Sequence, residues 1–227
     1  MLSTRIFPLG ESAITVEFGN EMSEPLNDAA NNLAAHFDKN RFPGFVEAVP
    51  AIASATIFFE LLEVRRNFPG HSTAFEAITI LIEKAVEDLA DSPAVNSRVV
   101  EIPVSFRAEN ALDLEFIAET SGLSRQGVIE VFLSNTYRVY MLGFLPGFAY
   151  MGIVDERIAV PRRSSPRLTV PKGSVGIAGR QTGIYPNESP GGWQIIGRTD
   201  RELLTGNERT PCLFQPADTV RFVEAKD

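Results

Sequence analysis

The chain has 227 residues, with 29 Asp and Glu against 21 Lys and Arg, for a formal net charge of −8. That acidic balance argues against a nucleic-acid or anionic-membrane partner. No apolar run reaches the ~18–20 residues of a membrane span. One Cys (Cys212) permits no intramolecular disulfide, and with two His it gives no basis for a metal site.

Elements follow in chain order. The opening MLSTRIFPLGES lacks the basic start and apolar core of a secretion signal, so a cytoplasmic location is expected. AITVEF (13–18) alternates, with Ile14, Val16 and Phe18 on one face, and reads as a half-buried strand. Ser23 is placed as an N-cap with Pro25 in the first turn. Leu26, Ala29, Ala30, Leu33, Ala34 and Phe37 then give one apolar stripe, predicting a helix over 24–39. Phe-Pro-Gly at 42–44 ends it, and strands are expected over 45–50 and 54–61. Thr73 and Glu76 form a capping box before the stripe Phe75, Ile78, Ile82, Ala85, Val86 and Leu89. This order describes an α+β domain over 1–92, with helices on one face of an antiparallel sheet. The polar stretch DSPAVNS (91–97) marks a boundary, and a mainly β domain is expected over 93–227.

RVVEIPVSF (98–106) opens that second part as a strand. Asp113 is expected to cap a short helix to Thr120, closed by Gly122. Ser124 caps another, running to about Ser134. The pair mimics a helix-turn-helix, but 125–134 offers only Arg125 and Gln126 beside Glu130 and apolar residues. Such a face is poor at reading bases. TVRFVE (219–224) is a last alternating strand.

Residues 137–199 hold ten of the seventeen Gly, six of the fifteen Pro and the only Trp. Gly and Pro penalise helix interiors by about 1 and 3 kcal/mol, so this block is no long helix. It is too rich in Phe, Tyr, Ile and Val to be a disordered linker. Short strands joined by demanding loops remain, as a barrel or a sandwich. The block carries eight basic and three acidic residues, a net of +5, so the remainder of the chain is −13. Its arginines either pair with carboxylates elsewhere in the fold or line a local anion site, and charge alone leaves both open.

Within the block, GFLPGF (143–148) places Phe144 and Phe148 around a turn at Pro146, read as a structural turn at a pocket rim. PRRSSPR (161–167) stiffens its arginines between prolines, which favours Arg163 and Arg167 for bidentate contacts with an anion. PKGSVGIAGRQTGIYP (171–186) is no P-loop, since Lys172 precedes the Gly. Lys172, Ser174, Gln181 and Tyr185 are polar candidates there, with Gln181 and Tyr185 the strongest. NESPGGWQ (187–194) adds Ser189 and Trp193, the latter equally readable as core or as a stacking surface. No Ser-His-Asp or Cys-His arrangement is available, because His36 and His71 lie far from the block and Cys212 has no evident base. No catalytic residue is assigned.

The runs GFLPGFAYMG, PRRSSPR and VPKGSVGIAGRQTGIYPNESPGGWQIIGRT resemble the B-subunit family of ATP-dependent 5-oxoprolinase. That family is also labelled allophanate hydrolase subunit 1 and includes a histidine-kinase inhibitor of sporulating bacteria. The similarity runs from LGESAITVEFG to TVRF. It implies a cyclophilin-like closed barrel in the second domain. It implies a chain active only with two partners of the same enzyme, the homologous C subunit and the A subunit. Such a complex uses ATP to open the lactam of 5-oxoproline to glutamate. ATP is then held by the complex, with no metal site in this chain. Two other readings follow from the family: an inhibitor of a sensor histidine kinase, and a carboxyltransferase-like component of urea or allophanate metabolism. Ser105 and Phe106 stand where the family pattern has Cys and Tyr, and the pattern has a His near Phe132.

Overall fold

The stripe at 24–39 folds as its period requires, and the segment 13–17 is a strand, but Ala13, Ile14, Thr15 and Val16 are all buried rather than one face alone. A computed structural model describes residues 4–89, 97–208 and 210–225. The chain divides into two units, Met1–Asn96 and Ser97–Asp227. The boundary expected at 92–93 lies outside the described residues.

In the first unit, β1 (Arg5–Pro8), β2 (Ala13–Glu17), β3 (Phe45–Pro50) and β4 (Ser54–Phe59) form an antiparallel sheet in the order β1-β2-β4-β3. Helices α1 (Glu24–Lys39), α2 (Leu61–Asn67) and α3 (Ala74–Asp88) complete it. Ile14 and Val16 pair in register with Ile57 and Ala55, and all four are buried with Leu33, Phe37, Ile78 and Ile82. The expected helix bounds hold for α1. Ser23 occupies the N-cap position, but its side chain makes no capping hydrogen bond. Pro25, with φ already set for a helix, supplies the start. At α3 the Glu76 N–H donates to Thr73 Oγ1 at 3.0 Å, while Glu76 Oε2 accepts from the Ser72 N–H at 2.8 Å. The reciprocal bond thus lands one residue earlier than in a standard capping box.

Three features differ from the sequence expectation. β1 has no counterpart in it. The strand placed over 54–61 stops at Phe59, and residues 61–67 turn into α2. Asn27 and Asn31 lie buried on α1 beside its apolar stripe. The Asn27 amide donates to Ala51 O and Ile52 O, both at 3.1 Å, and Asn31 donates to Asn27 Oδ1 at 3.0 Å. These bonds satisfy a β3–β4 connection that would otherwise bury bare carbonyls.

In the second unit, seven strands form one sheet: β5 (Val99–Val104), β6 (Thr136–Leu142), β7 (Ala149–Gly152), β9 (Ser174–Ala178), β10 (Gln181–Ile184), β12 (Gln194–Arg198) and β13 (Thr219–Glu224). Their order is β12-β9-β10-β7-β6-β13-β5. Only β5 and β13 pair in parallel. The outer strands nearly meet. Ser105, just past β5, donates its N–H to Arg198 O at 2.8 Å and accepts from the Arg198 N–H at 3.0 Å. Gly197 permits this approach, since a Cβ there would sit 2.6 Å from Val104 Cγ1 and 3.0 Å from Ser105 O. The result is a nearly closed, barrel-like sheet in a mixed α/β chain.

Its interior is filled by Ile102, Val104, Val139, Met151, Ile177 and Phe222, among others. Phe132 belongs to this core, stacked 5.0 Å from Tyr137 and tilted against Phe222 at 4.9 Å. Phe132 is therefore a packing residue in this chain. Ser105 accepts a hydrogen bond from Asn110 Nδ2 at 3.0 Å, and Phe106 is buried.

Helices α4 (Leu114–Ser121) and α5 (Arg125–Leu133) lie against β12 and β13. Gly122 ends α4 at φ 66°, and the Ser124 hydroxyl caps α5 by accepting from the Gly127 N–H at 3.0 Å. Arg125 pairs with Glu115 at 2.7 Å, so its charge ties the helices together. Asp113 stands at the N-cap of α4, but its side chain makes no capping bond there. Among the described residues no helix is long and apolar enough to cross a membrane.

Candidate functional site

A further apolar cluster forms apart from the barrel core. Phe148, Val170, Ala178, Tyr185, Trp193 and Ile195 pack together, with Leu145 and Tyr150 against them. Beside a two-stranded ribbon of β8 (Arg167–Val170) and β11 (Ser189–Gly191), this cluster floors a pocket of ≈ 250 Å³. Phe144, Phe148, Tyr150, Tyr185 and Trp193 supply its rings. Pro166, Pro190, Gly191 and Gly192 supply its backbone-rich side, and Arg162 its single charge.

The rings meet edge to face, as their quadrupoles prefer. Phe148 lies 5.5 Å from Tyr185 and 5.4 Å from Trp193, at interplanar angles of 77° and 86°. Trp193 also carries the Arg162 guanidinium 5.9 Å from its ring centroid. Burial pushes the Tyr185 phenol above its ordinary pKa, against the smaller opposing pull of a Trp193 backbone hydrogen bond and the Arg162 charge. Tyr185 is thus a neutral hydroxyl at pH 7. Gly191 runs directly over it: a Cβ there would lie 2.4 Å from Tyr185 Oη. Phe144 sits at the rim with φ 70°, in a region an L-residue other than Gly enters at a cost on the order of 1–3 kcal/mol.

The neighbouring arginines behave differently. Asp113, only 4% exposed, accepts from Arg163 Nη1 at 2.9 Å and from Arg167 Nη1 and Nη2 at 2.8 and 2.7 Å. It also accepts from the Ile195 N–H at 2.6 Å, and its own N–H donates to Ile195 O at 2.8 Å. The Arg163 N–H donates to Gly192 O at 2.7 Å, so the segment 161–167 is tied to the pocket's glycine side.

The sequence candidates therefore separate. Phe144, Phe148, Tyr185 and Trp193 come together around the pocket. Arg163 and Arg167, expected to face an anion, turn to Asp113, which is the pairing alternative that charge alone leaves open. Lys172 pairs with Glu202 at 2.8 Å. Ser174 is buried in β9, Gln181 opens β10 opposite Ala178 and Gly152, and Ser189 Oγ donates to Pro190 O at 3.3 Å. Pro146 is exposed in its turn. None of these lines the pocket. Sequence reasoning reaches neither Arg162 nor Tyr150, and it gives Asp113 only a capping task. The available signal is alternation: in an extended segment, adjacent side chains point to opposite sides, so Arg162 and Arg163 cannot share a role. Among the described residues no three His, Cys, Asp or Glu side chains gather as a metal site.

This nearly closed sheet and its accompanying helices are those of a carboxyltransferase domain. The family model for the carboxyltransferase domain, subdomain C and D, matches residues 4–214. A more particular grouping follows from whole-chain relatives. The 5-oxoprolinase B subunit of Bacillus subtilis (strain 168) is 43% identical, over 98% of this chain and 93% of its own. That of Escherichia coli O157:H7 is 38% identical, over 100% of this chain and 99% of its own. The chain belongs to the B-subunit family of 5-oxoprolinase. Among solved structures, TTHA0988 superimposes with a TM-score of 0.78 at 34% identity. The match takes in 95% of this chain, which spans only 40% of that longer one.

Proposed function

We propose that this chain is the B subunit of a cytoplasmic, ATP-dependent 5-oxoprolinase, and that the aromatic pocket of its second unit, read as a cyclophilin-like barrel, receives the substrate. The partners are the homologous C subunit and the A subunit of the same enzyme. The complex opens the lactam of 5-oxoproline to glutamate with hydrolysis of ATP to ADP and phosphate. A lactam is unreactive because its nitrogen lone pair is delocalised into the carbonyl. Transfer of the γ-phosphoryl group of ATP to the lactam oxygen, with ADP departing, turns that carbon into an electrophile. Water then adds, the C–N bond breaks to leave an amine and an acyl phosphate, and a second water releases phosphate.

The observation that carries this reading is the pairing of one arginine with a wall of rings. 5-Oxoproline is a small, flat ring with one carboxylate. In this reading Arg162 takes the carboxylate by a charge-assisted hydrogen bond. Trp193, Tyr150 and Phe148 cover the ring faces, and the neutral Tyr185 hydroxyl donates to the lactam oxygen. ATP is assigned to the complex, since this pocket offers a single cation for a triphosphate. The purified chain, combined with its A and C partners, is expected to hydrolyse ATP only when 5-oxoproline is present. A complete mixture that hydrolyses no ATP in response to 5-oxoproline overturns the proposal.

A further inference from the structure

Phe144 combines two properties that do not ordinarily coincide: a strained backbone and an exposed large ring. Its φ of 70° is accompanied by a hydrogen bond from the Leu145 N–H to Gly143 O at 2.9 Å, which closes a three-residue turn around it. Turns of that hand are rare and strained for a residue with a side chain. Glycine stands on one side of it at Gly143 and again at Gly147, which has φ 85°. At 144 itself, where the backbone also favours glycine, the chain carries Phe. The turn is pinned, with the Phe148 N–H donating to Leu145 O at 2.9 Å and the Gly143 N–H to Phe148 O at 3.2 Å.

That strain secures little packing within the fold. Phe144 is 59% exposed, whereas Phe148 and Tyr185 beneath it are 1% and 2% exposed. Its ring touches them only edge-on, with centroids 5.4 and 6.4 Å away, and it projects along the pocket rim. Strained residues of this kind persist where the surrounding structure holds them, and they cluster at functional sites.

We infer that Phe144 is a specificity-determining residue, held in its turn so that its ring covers a small cyclic carboxylate seated in the pocket and gives no such contact to open-chain acids. The inference rests on the substrate reading given above. On this inference a flat five-membered lactam lies in the pocket against the Trp193 side, with the exposed Phe144 ring over it at the rim. Ring opening adds a second carboxylate and an ammonium, and the pocket lining offers neither a further cation nor a carboxylate to pair them. Phe144 therefore favours substrate over product.

Trp193 is the only Trp and lies in the pocket wall, so its emission reports occupancy of the full chain. Wild type, F144A and F144G are titrated with 5-oxoproline and, separately, with glutamate, with equilibrium dialysis alongside and thermal melts of each variant. Both variants are expected to bind 5-oxoproline about fivefold more weakly, the scale of one lost aromatic contact, with glutamate binding unchanged. F144G, which relieves the turn, is expected to melt no lower than wild type and above F144A. Unchanged 5-oxoproline affinity in both variants, or a melt of F144G below F144A, overturns the inference while the pocket reading stands. A wild-type chain that binds no 5-oxoproline by dialysis overturns both.

Discussion

The segment 161–167 carries arginines of two kinds, and they sit side by side. Arg163 and Arg167 turn inward to Asp113, at least fifty residues earlier in the chain, and fasten the ribbon to the N-terminus of α4. Arg162 turns outward, over Trp193, with no carboxylate lining the pocket beside it. The inner pair serves the fold, and the outer one lines the pocket. A positive local charge count therefore reports nothing about which cations remain available; the buried carboxylate decides that.

The largest effect should come from the inner side. Asp113→Ala strands two guanidinium groups that are a third and a fifth exposed, plus the Ile195 N–H. Removing one partner of a buried pair costs about 3–5 kcal/mol, and partial access to water places this case near the lower figure. Thermal denaturation should show Tm lower by about 6–12 °C. A drop within about 2 °C, the shift expected from less than 1 kcal/mol, would make the cluster incidental and dissolve the contrast.

The outer side should show the opposite balance. Arg162→Ala is expected to leave stability within about 0.5 kcal/mol, while weakening 5-oxoproline binding about tenfold, the scale of one charge-assisted contact. Trp193 emission reads the affinity and a melt reads the stability. If Arg162→Ala lowers Tm as far as Asp113→Ala does, the two arginine classes are one.

A smaller effect separates the rings from the ions. Burial raises the phenol pKa of both Tyr137 and Tyr185. Unfolded phenols lose their protons near about pH 10, so above that pH the unfolded chain releases protons that the folded chain retains. Stability is then full below about pH 10 and falls as pH rises toward the folded values. Unfolding midpoints taken from below to above the ordinary phenol pKa, with phenolate absorbance, should show that decline, and Tyr185→Phe should make it shallower.

Legibility in the sequence follows periodicity. The bounds of α1 are readable because Leu33, Ala34 and Phe37 repeat at helical spacing, and β2 because Ile14 and Val16 alternate. The segment 61–67 is not, since Leu61 and Leu62 resume the apolar run of β4 after the single residue Glu60, which makes no side-chain capping bond and is a weak helix-start signal. Asp113 stands at a helix start, as its position suggests, but its task is elsewhere. Its partners lie 50 and 54 residues ahead, a separation no local pattern reveals. The aromatic half of the site is legible because a Gly- and Pro-rich block with this many rings must cover them on a loop-rich scaffold. The choice of Arg162 over its neighbours depends on which face of an extended loop meets the ribbon.

The parallel seam between β5 and β13 also bears on synthesis. Arg98 and Asp218, whose ion pair at 2.8 Å flanks that seam, stand 120 positions apart. A ribosome adding about 5–20 residues per second needs roughly 6–24 s to span that distance. Throughout that interval β5 has been made but its ladder neighbour in the sheet has not, so a nascent chain at this stage offers a bare edge to chaperones and to other nascent chains.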